Sequence, residues 1–374
     1  MRRIALRSLL HDRGKLAASL AGVAFAATLV LVQVGIYAGF LKTSAAVVDR
    51  VGGDVWVVPR GAEVADNSEV VGAAGRSLAM AHPCVRGVRP VVLSFVGIRK
   101  PRGSRDAVML LGFERDPRRE VPWRMVRGLP QDLDAPMRVA VDIGDLRKLQ
   151  IEQDPIGTAL ELNGVSAYIA GLSAGVRSFT LTPYVFASVD TARRVMRMTP
   201  DQASYWVADL RDGHCADDVI RAVRAHPDLD AHTAARFAEM TQDYWVAGSG
   251  AGAALGFSAL LGLVVGVVIV GQTLYAVTRE HLRELATLKA VGASDIEITG
   301  FVAWQALLLA GVGGALGLAN TFAVQRMIDT MGITVELSPA VLAVGAGAVA
   351  LMCALASLWS VRAVLALEAA EVFK

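Results

Sequence analysis

Apolar residues gather in four long runs without Asp, Glu, Lys or Arg: Leu16 to Leu41, Tyr244 to Thr278, Ile298 to Gln325 and Leu337 to Val361. A helix needs about 20 apolar residues to cross the hydrocarbon core of a bilayer, so each run predicts a membrane-spanning helix. The second run exceeds one crossing. Its start, Tyr244 to Ala253, predicts a stalk or interfacial continuation of the helix, with Tyr244 and Trp245 at the membrane surface.

Between the first two runs the pattern shortens to brief apolar stretches punctuated by Gly, Pro and Asp. These predict strands over Asp54–Val58, Val91–Ile98, Ala107–Phe113, Ala159–Gly171, Tyr184–Ser188 and Tyr205–Leu210. Helices are predicted over Asp190–Met198, with Asp190 as the capping residue, and over Asp217–Ala225, stopped by His226-Pro227. A weak strand is expected near Asp230. The expected fold class is therefore an α-helical membrane protein with four transmembrane helices. A large mixed α/β extracytoplasmic domain lies between the first and second helices.

The expected segments are a cytoplasmic start over 1–15, a first helix over 16–41 and the outer domain over 42–243. A stalk and second helix follow over 244–278, a cytoplasmic helix over 279–297 and a third span over 298–325. An outer loop over 326–336, a fourth span over 337–361 and a cytoplasmic tail over 362–374 complete the chain.

Charge sets the orientation. Arg2, Arg3, Arg7, Arg13 and Lys15 precede the first run against one acid, Asp12, which predicts a cytoplasmic N-terminus and an outer 43–243 segment. The C-terminus is then cytoplasmic too, in a multi-pass membrane protein. A signal h-region spans only about 7–15 residues, so the first run is expected to stay as an anchor. At 19% charged and net charge +2, the chain has no basic field for nucleic acid. The runs also lack the ionisable side chains that ion-coupled carriers use as relays. They are instead rich in small residues, Gly248/Gly252/Gly256, Gly262/Gly266 and Gly313/Gly317, at a spacing that lets helices approach closely within one chain or across a dimer. Cys353 lies in a span as a small packing residue, whereas Cys84 and Cys215 lie where disulfides are permitted. With no framework pattern, their pairing stays open.

Several motifs imitate chemistry. Gly171-Leu172-Ser173-Ala174-Gly175 fits G-x-S-x-G, but a nucleophile elbow needs a helix after the serine, and the sequence there is β-like and broken by Pro183. Asp209 and His214 are the acid and base such a site would draw on. No G-x-x-x-x-G-K-[ST] loop is present, because the one Gly-Lys pair, Gly14-Lys15, runs into Leu16. His281 and Glu284 share a helix face without the further ligands a metal needs. No catalytic residue, metal or cofactor is expected on this chain.

The stretch from Thr278 to Ser294 carries more. Leu282, Leu285 and Leu288, with Ala286, form one apolar stripe, and Arg279, Glu280, Arg283 and Glu284 a charged face. Glu280–Glu284 and Arg279–Arg283 repel at i, i+4, so the charges do not serve the helix itself. Gly292 would end the helix, and Ser294 with Asp295 would cap the next. Residues alone allow either a helix lying on lipid or one seated in a partner.

The pattern R-E-x-x-R-E-x-A-x-L-K-A-x-G-A-S, together with one span before a large outer domain and three after it, resembles permeases of the MacB/FtsX/LolC type. The resemblance implies ATPase-coupling roles for Glu280, Glu284, Leu285, Leu288, Lys289, Gly292, Ala293 and Ser294. Leu20–Ala26, Gln33-Val34-Gly35, Gly53–Val58, Val108–Phe113 and Leu367–Lys374 are similar to the DevC-like subgroup, with Ala369 where a proline is usual. It further implies a permease subunit of an ABC exporter that acts by mechanotransmission. Two separate ATPase subunits would bind ATP and Mg, with a second copy of this chain and, for export, often a periplasmic membrane-fusion protein. A regulator of an extracellular enzyme is the alternative within the family; outside it, the alternative is a membrane-anchored sensor.

Overall fold

The structure, a computed structural model, describes residues 13–66, 69–117, 119, 121–178, 180–280, 294–329 and 331–365. The chain forms two compact units, one of residues 1–39 with 251–374 and one of residues 40–250.

In the first unit, four helices among the described residues are long and apolar enough to cross a membrane. They are α1 (Arg13–Ser44), α7 (Ala251–Glu280), α8 (Asp295–Asp329) and α9 (Pro339–Leu365); the intervening helices are introduced below. Lipid gives apolar side chains no reason to leave it, so such helices associate through close packing and local hydrogen bonds. Small residues supply that closeness. Gly313 of α8 lies under Val23 of α1, Gly317 under Ala24, Ala27 and Thr28, and Gly345 of α9 under Leu31. The Thr28 hydroxyl donates to Ala24 O (2.8 Å), lies 3.1 Å from Gly317 O and accepts from Asn320 Nδ2 (3.2 Å). A core of Val23, Ala26, Ala27, Val30, Val270, Leu274, Leu309 and Met352 fills the remaining space. The loop before α9 closes on the end of α1, with Glu336 N donating to Gly35 O (2.9 Å) and Gln325 Nε2 to Val335 O (2.9 Å).

The second unit is α/β. Its elements are α2 (Ala46–Val51), β1 (Val55–Pro59), α3 (Ala73–Met80), β2 (Val85–Arg99), β3 (Arg105–Phe113), β4 (Met125–Arg127) and β5 (Arg138–Asp142). Then come β6 (Ala159–Leu162), β7 (Val165–Ser173), β8 (Tyr184–Ser188), α4 (Val189–Met196), β9 (Tyr205–Leu210), α5 (Ala216–Arg224), β10 (Leu229–Thr233) and α6 (Ala234–Asp243). The strands run β10-β1-β9-β2-β3-β8-β5-β7-β4, and β6 pairs with both β7 and β2. β2-β3-β8-β5-β7-β6 thus closes into a ring, parallel at β3/β8 and β5/β7. Period-two alternation explains the core. Val92, Val96 and Ile98 of β2 join Leu110, Val141, Ile169 and Val185 on one face. Val91 and Leu93 turn instead to Trp56, Phe186, Tyr205 and Phe237, under α2 and α6. The far face of β1 and β9 is covered by α3 and α5.

Local chemistry moves several expected boundaries. Ser188, not Asp190, caps α4, its hydroxyl accepting from Thr191 N (3.3 Å). The single strand expected over Ala159–Gly171 is a hairpin, because Asn163 and Gly164 take φ of 49° and 82° and turn the chain. The expected helical stalk is interrupted. α6 runs into one π-helical turn, Tyr244–Gly248, and the chain then bends at Gly250 (φ 75°) before α7. Cys84 and Cys215, left open by the sequence, form a disulfide.

Candidate functional site

The expected coupling helix is bracketed by α7, described as far as Glu280, and α8, which begins at Asp295 directly after exposed Ser294. Glu284, Leu285, Leu288, Lys289, Gly292 and Ala293, with His281, lie outside the described residues, as do residues 1–12 and the tail over 366–374.

In the outer unit, the chain segments that lead to the membrane helices are tied to one another and to the sheet. Gln242 Nε2 of α6 donates to Leu41 O (3.1 Å), and α2 packs beside α6. The strap after β1, Val64–Asp66, is gripped from two sides. Ala65 N donates to Thr241 Oγ1 of α6 (3.2 Å), and the Tyr205 hydroxyl of β9 donates to Ala65 O (2.7 Å). Asp66 is 5% exposed. Burial pushes its carboxyl up to about 6. Sequence reading missed Asp66. A lone Asp in a loop reads as solvated, and only the fold shows it enclosed.

A cleft of about 440 Å³ in the outer unit is lined by Arg115, Asp116, Arg119, Val121, Arg124 and Met125 among others. Arg115 pairs with Asp134 (2.9 Å), and Arg119 shares buried Asp209 with Arg89 at 2.7 and 3.0 Å. Much of the cleft's positive charge is therefore neutralised within the domain.

The elements of a hydrolase site are not assembled. Ser173 ends β7 fully buried, and no helix follows it among the described residues up to Pro183. Asp209 is held by arginines, and His214 bonds to Asp212 (2.7 Å) at the surface. Among the described residues, no group of three or more His, Cys, Asp or Glu is placed to hold a metal.

Residues 16–226 match the family model of the MacB-like periplasmic core domain, and residues 256–369 that of the FtsX-like permease C-terminal region. Among solved structures, the chain is similar to the periplasmic region of MacB from Actinobacillus actinomycetemcomitans. That likeness has 10% identity and a TM-score of 0.38, covering 52% of this chain and 96% of that one. It is also similar to the extracellular domain of the noncanonic ABC-type transporter YknZ from Gram-positive bacteria. There the identity is 10% and the TM-score 0.37, covering 48% of this chain and 98% of that one. A search of curated proteins gave no match. The MacB-like match alone takes in more than half of the sequence and the FtsX-like match most of the rest, so the chain belongs to the MacB/FtsX-type family of ABC permeases.

Proposed function

We propose that this permease is the membrane subunit of an ATP-driven exporter and works by mechanotransmission. The observation that carries the reading is the charged, amphipathic 278–294 stretch between the second and third spans, in a chain of this family. Two copies of the chain would engage two ATPase subunits, which hold the ATP and Mg. Each stretch would seat in an ATPase groove with Glu284 and Leu288 near the centre of contact, flanked by Glu280, Leu285, Lys289, Gly292, Ala293 and Ser294. Closure of the ATPases would move the membrane helices, and the segments joining them to the outer domain would pass that motion on. The ties among Leu41, Gln242, Thr241 and Ala65 support this reading, because they leave the outer domain's entry points little independent play. A periplasmic membrane-fusion partner would complete the export route. Within the family we infer a DevC-like permease, from the resemblance of its first span and early outer strands to that subgroup.

A charged residue for Leu288, or Lys for Glu284, should weaken capture of the ATPase. Central contact residues cost roughly 2 kcal/mol or more on truncation, about 30-fold in affinity. Membrane abundance should stay unchanged. A helix lying on lipid predicts instead that Glu284→Lys is harmless or tightens binding to anionic lipid. Wild-type ATPase capture and stimulation by both variants would remove the coupling assignment.

We place the inner-membrane protein with both termini in the cytoplasm, on the strength of its basic N-terminal flank. In intact spheroplasts, Ser104→Cys in the exposed β2–β3 turn should react with an impermeant maleimide. Ser294→Cys should react only after permeabilisation. The reverse pattern would invert the topology.

A further inference from the structure

We propose that the arginine-lined cleft of the outer unit binds a small amphiphilic anion, a carboxylate or phosphate ester carrying a short apolar body. The inference goes beyond the export reading and does not depend on it.

The lining comes from one segment, the connection between β3 and β5, and that segment is held at several points. Arg115 pairs with Asp134 (2.9 Å) and so joins its two ends. Arg119 Nη2 meets Asp209 Oδ1 on β9 (2.7 Å), and its Nη1 donates to Val51 O at the end of α2 (3.1 Å). Ala174 N donates to Arg124 O (2.9 Å), and Met125 is paired with Ser173 where β4 lies along β7. Pro117, Pro122 and Pro130 fix their own φ along the same stretch. A cleft built this way has little freedom to lose on taking a ligand. Its volume of about 440 Å³ suits one small molecule.

The three arginines are not equivalent. Arg119 is committed, because Asp209, Asp116 (3.7 Å) and the Val51 carbonyl all take its guanidinium. Asp116, the acid in the lining, is thereby answered from within the protein. Arg115 is held by one pair whose members are both about half exposed, and such pairs are weak enough for an anion to share the guanidinium. Arg124 is exposed and meets no acid among the described residues, although its backbone is fixed. Two guanidinium groups therefore stand ready for a carboxylate or phosphate, which their parallel N–H donors fit. In the same lining, buried Val121 and Pro122 and half-buried Met125 offer carbon alone. An inorganic ion would leave that apolar surface in water, and a neutral apolar molecule would make nothing of the arginines. An anion with an apolar body uses both.

Calorimetric titration of the full chain in zwitterionic nanodiscs, with empty nanodiscs as the blank, tests this. Hexyl phosphate should bind about tenfold or more tightly than either inorganic phosphate or hexanol, since each lacks one half of the match. Arg124→Glu should weaken hexyl phosphate about tenfold or more, and Arg124→Lys should restore part of the loss. Arg127→Ala removes the next arginine along β4, which pairs with Asp154 (2.8 Å) outside the cleft, and should leave the affinity unchanged. The outer-domain thermal transition of each variant should stay at wild type. Nanodiscs containing anionic phospholipid then separate the sources of the ligand: binding of hexyl phosphate lost there assigns the cleft to a lipid headgroup, and binding retained assigns it to a soluble anion. Hexyl phosphate no tighter than inorganic phosphate, an Arg124→Glu isotherm that matches wild type, or equal losses for Arg124→Glu and Arg127→Ala overturns the site. No ATPase is present, so failure here and failure of the coupling helix are separate results.

Discussion

Replacing Cys84 and Cys215 together by Ala is expected to cost the outer domain about 3–5 kcal/mol. The bridge closes a loop of 131 residues, for which the chain-entropy relation gives about 5 kcal/mol, above the usual 2–4. The folded domain brings the two cysteines together without the bond. β2 and β9 pair through Val85 and Leu210, and Arg211 N donates to Cys84 O (2.8 Å), which leaves the cysteine Cα atoms 6.7 Å apart. The bond therefore acts mainly by restricting the unfolded chain. At roughly 2–4 °C per kcal/mol for a domain of this size, the outer-domain transition should fall by about 10 °C. Thermal unfolding of purified protein, with and without reductant, checks it. Reductant should lower wild type to the level of the double variant and leave the variant unmoved. Equal transitions for oxidised wild type and the variant would show that the bridge contributes nothing.

That bridge also marks where sequence pattern runs out. Unbroken apolar runs showed β3, β8 and β9 almost to the residue, because their central positions are buried on both sides. β2 was legible only from Val91. Its first half carries Arg86, Arg89 and Pro90; Arg86 is exposed, and Arg89 meets Asp209 across the β2–β9 pair. The Asn163-Gly164 turn is masked in the sequence by apolar residues on both sides, which read as one long strand. β4 was not legible at all. It has three residues, is largely exposed, and exists as a strand because β7 lies beside it. Strand order is lost for the same reason: β1 lies between β9 and β10, more than a hundred residues away, and no local pattern encodes that distance. The four membrane runs were plain because a bilayer imposes one requirement on every residue of a span. The buried Asp66 was hidden because enclosure is a property of several distant segments at once.

Leucine at Gly317 is expected to destabilise the membrane unit by about 2–3 kcal/mol, whereas leucine at Gly311 on the same helix should be tolerated. A Cβ at 317 would lie 2.6 Å from Ala27 Cβ and 2.8 Å from Ala24 O, closer than real Cβ atoms come, and backbone cannot step aside as a flexible side chain does. Helix α8 must then draw away from α1. Overpacking of this kind costs about 1–3 kcal/mol. The separation also strains the Asn320–Thr28 bond and the close approach of Thr28 Oγ1 to Gly317 O, where interhelical hydrogen bonds average about 0.6 kcal/mol each. A Cβ on Gly311 meets nothing within 4 Å, so its side chain should enter space that needs no rearrangement within this unit. The contrast separates glycines that pack helices within the chain from glycines left on its outer faces, a distinction their shared spacing conceals. Retention of monodisperse protein after heating in detergent, with Gly317→Ala as the graded intermediate, reads the difference. Equal losses for Gly311→Leu and Gly317→Leu would mean that α8 does not meet α1 through Gly317, or that the Gly311 face is itself covered by another chain.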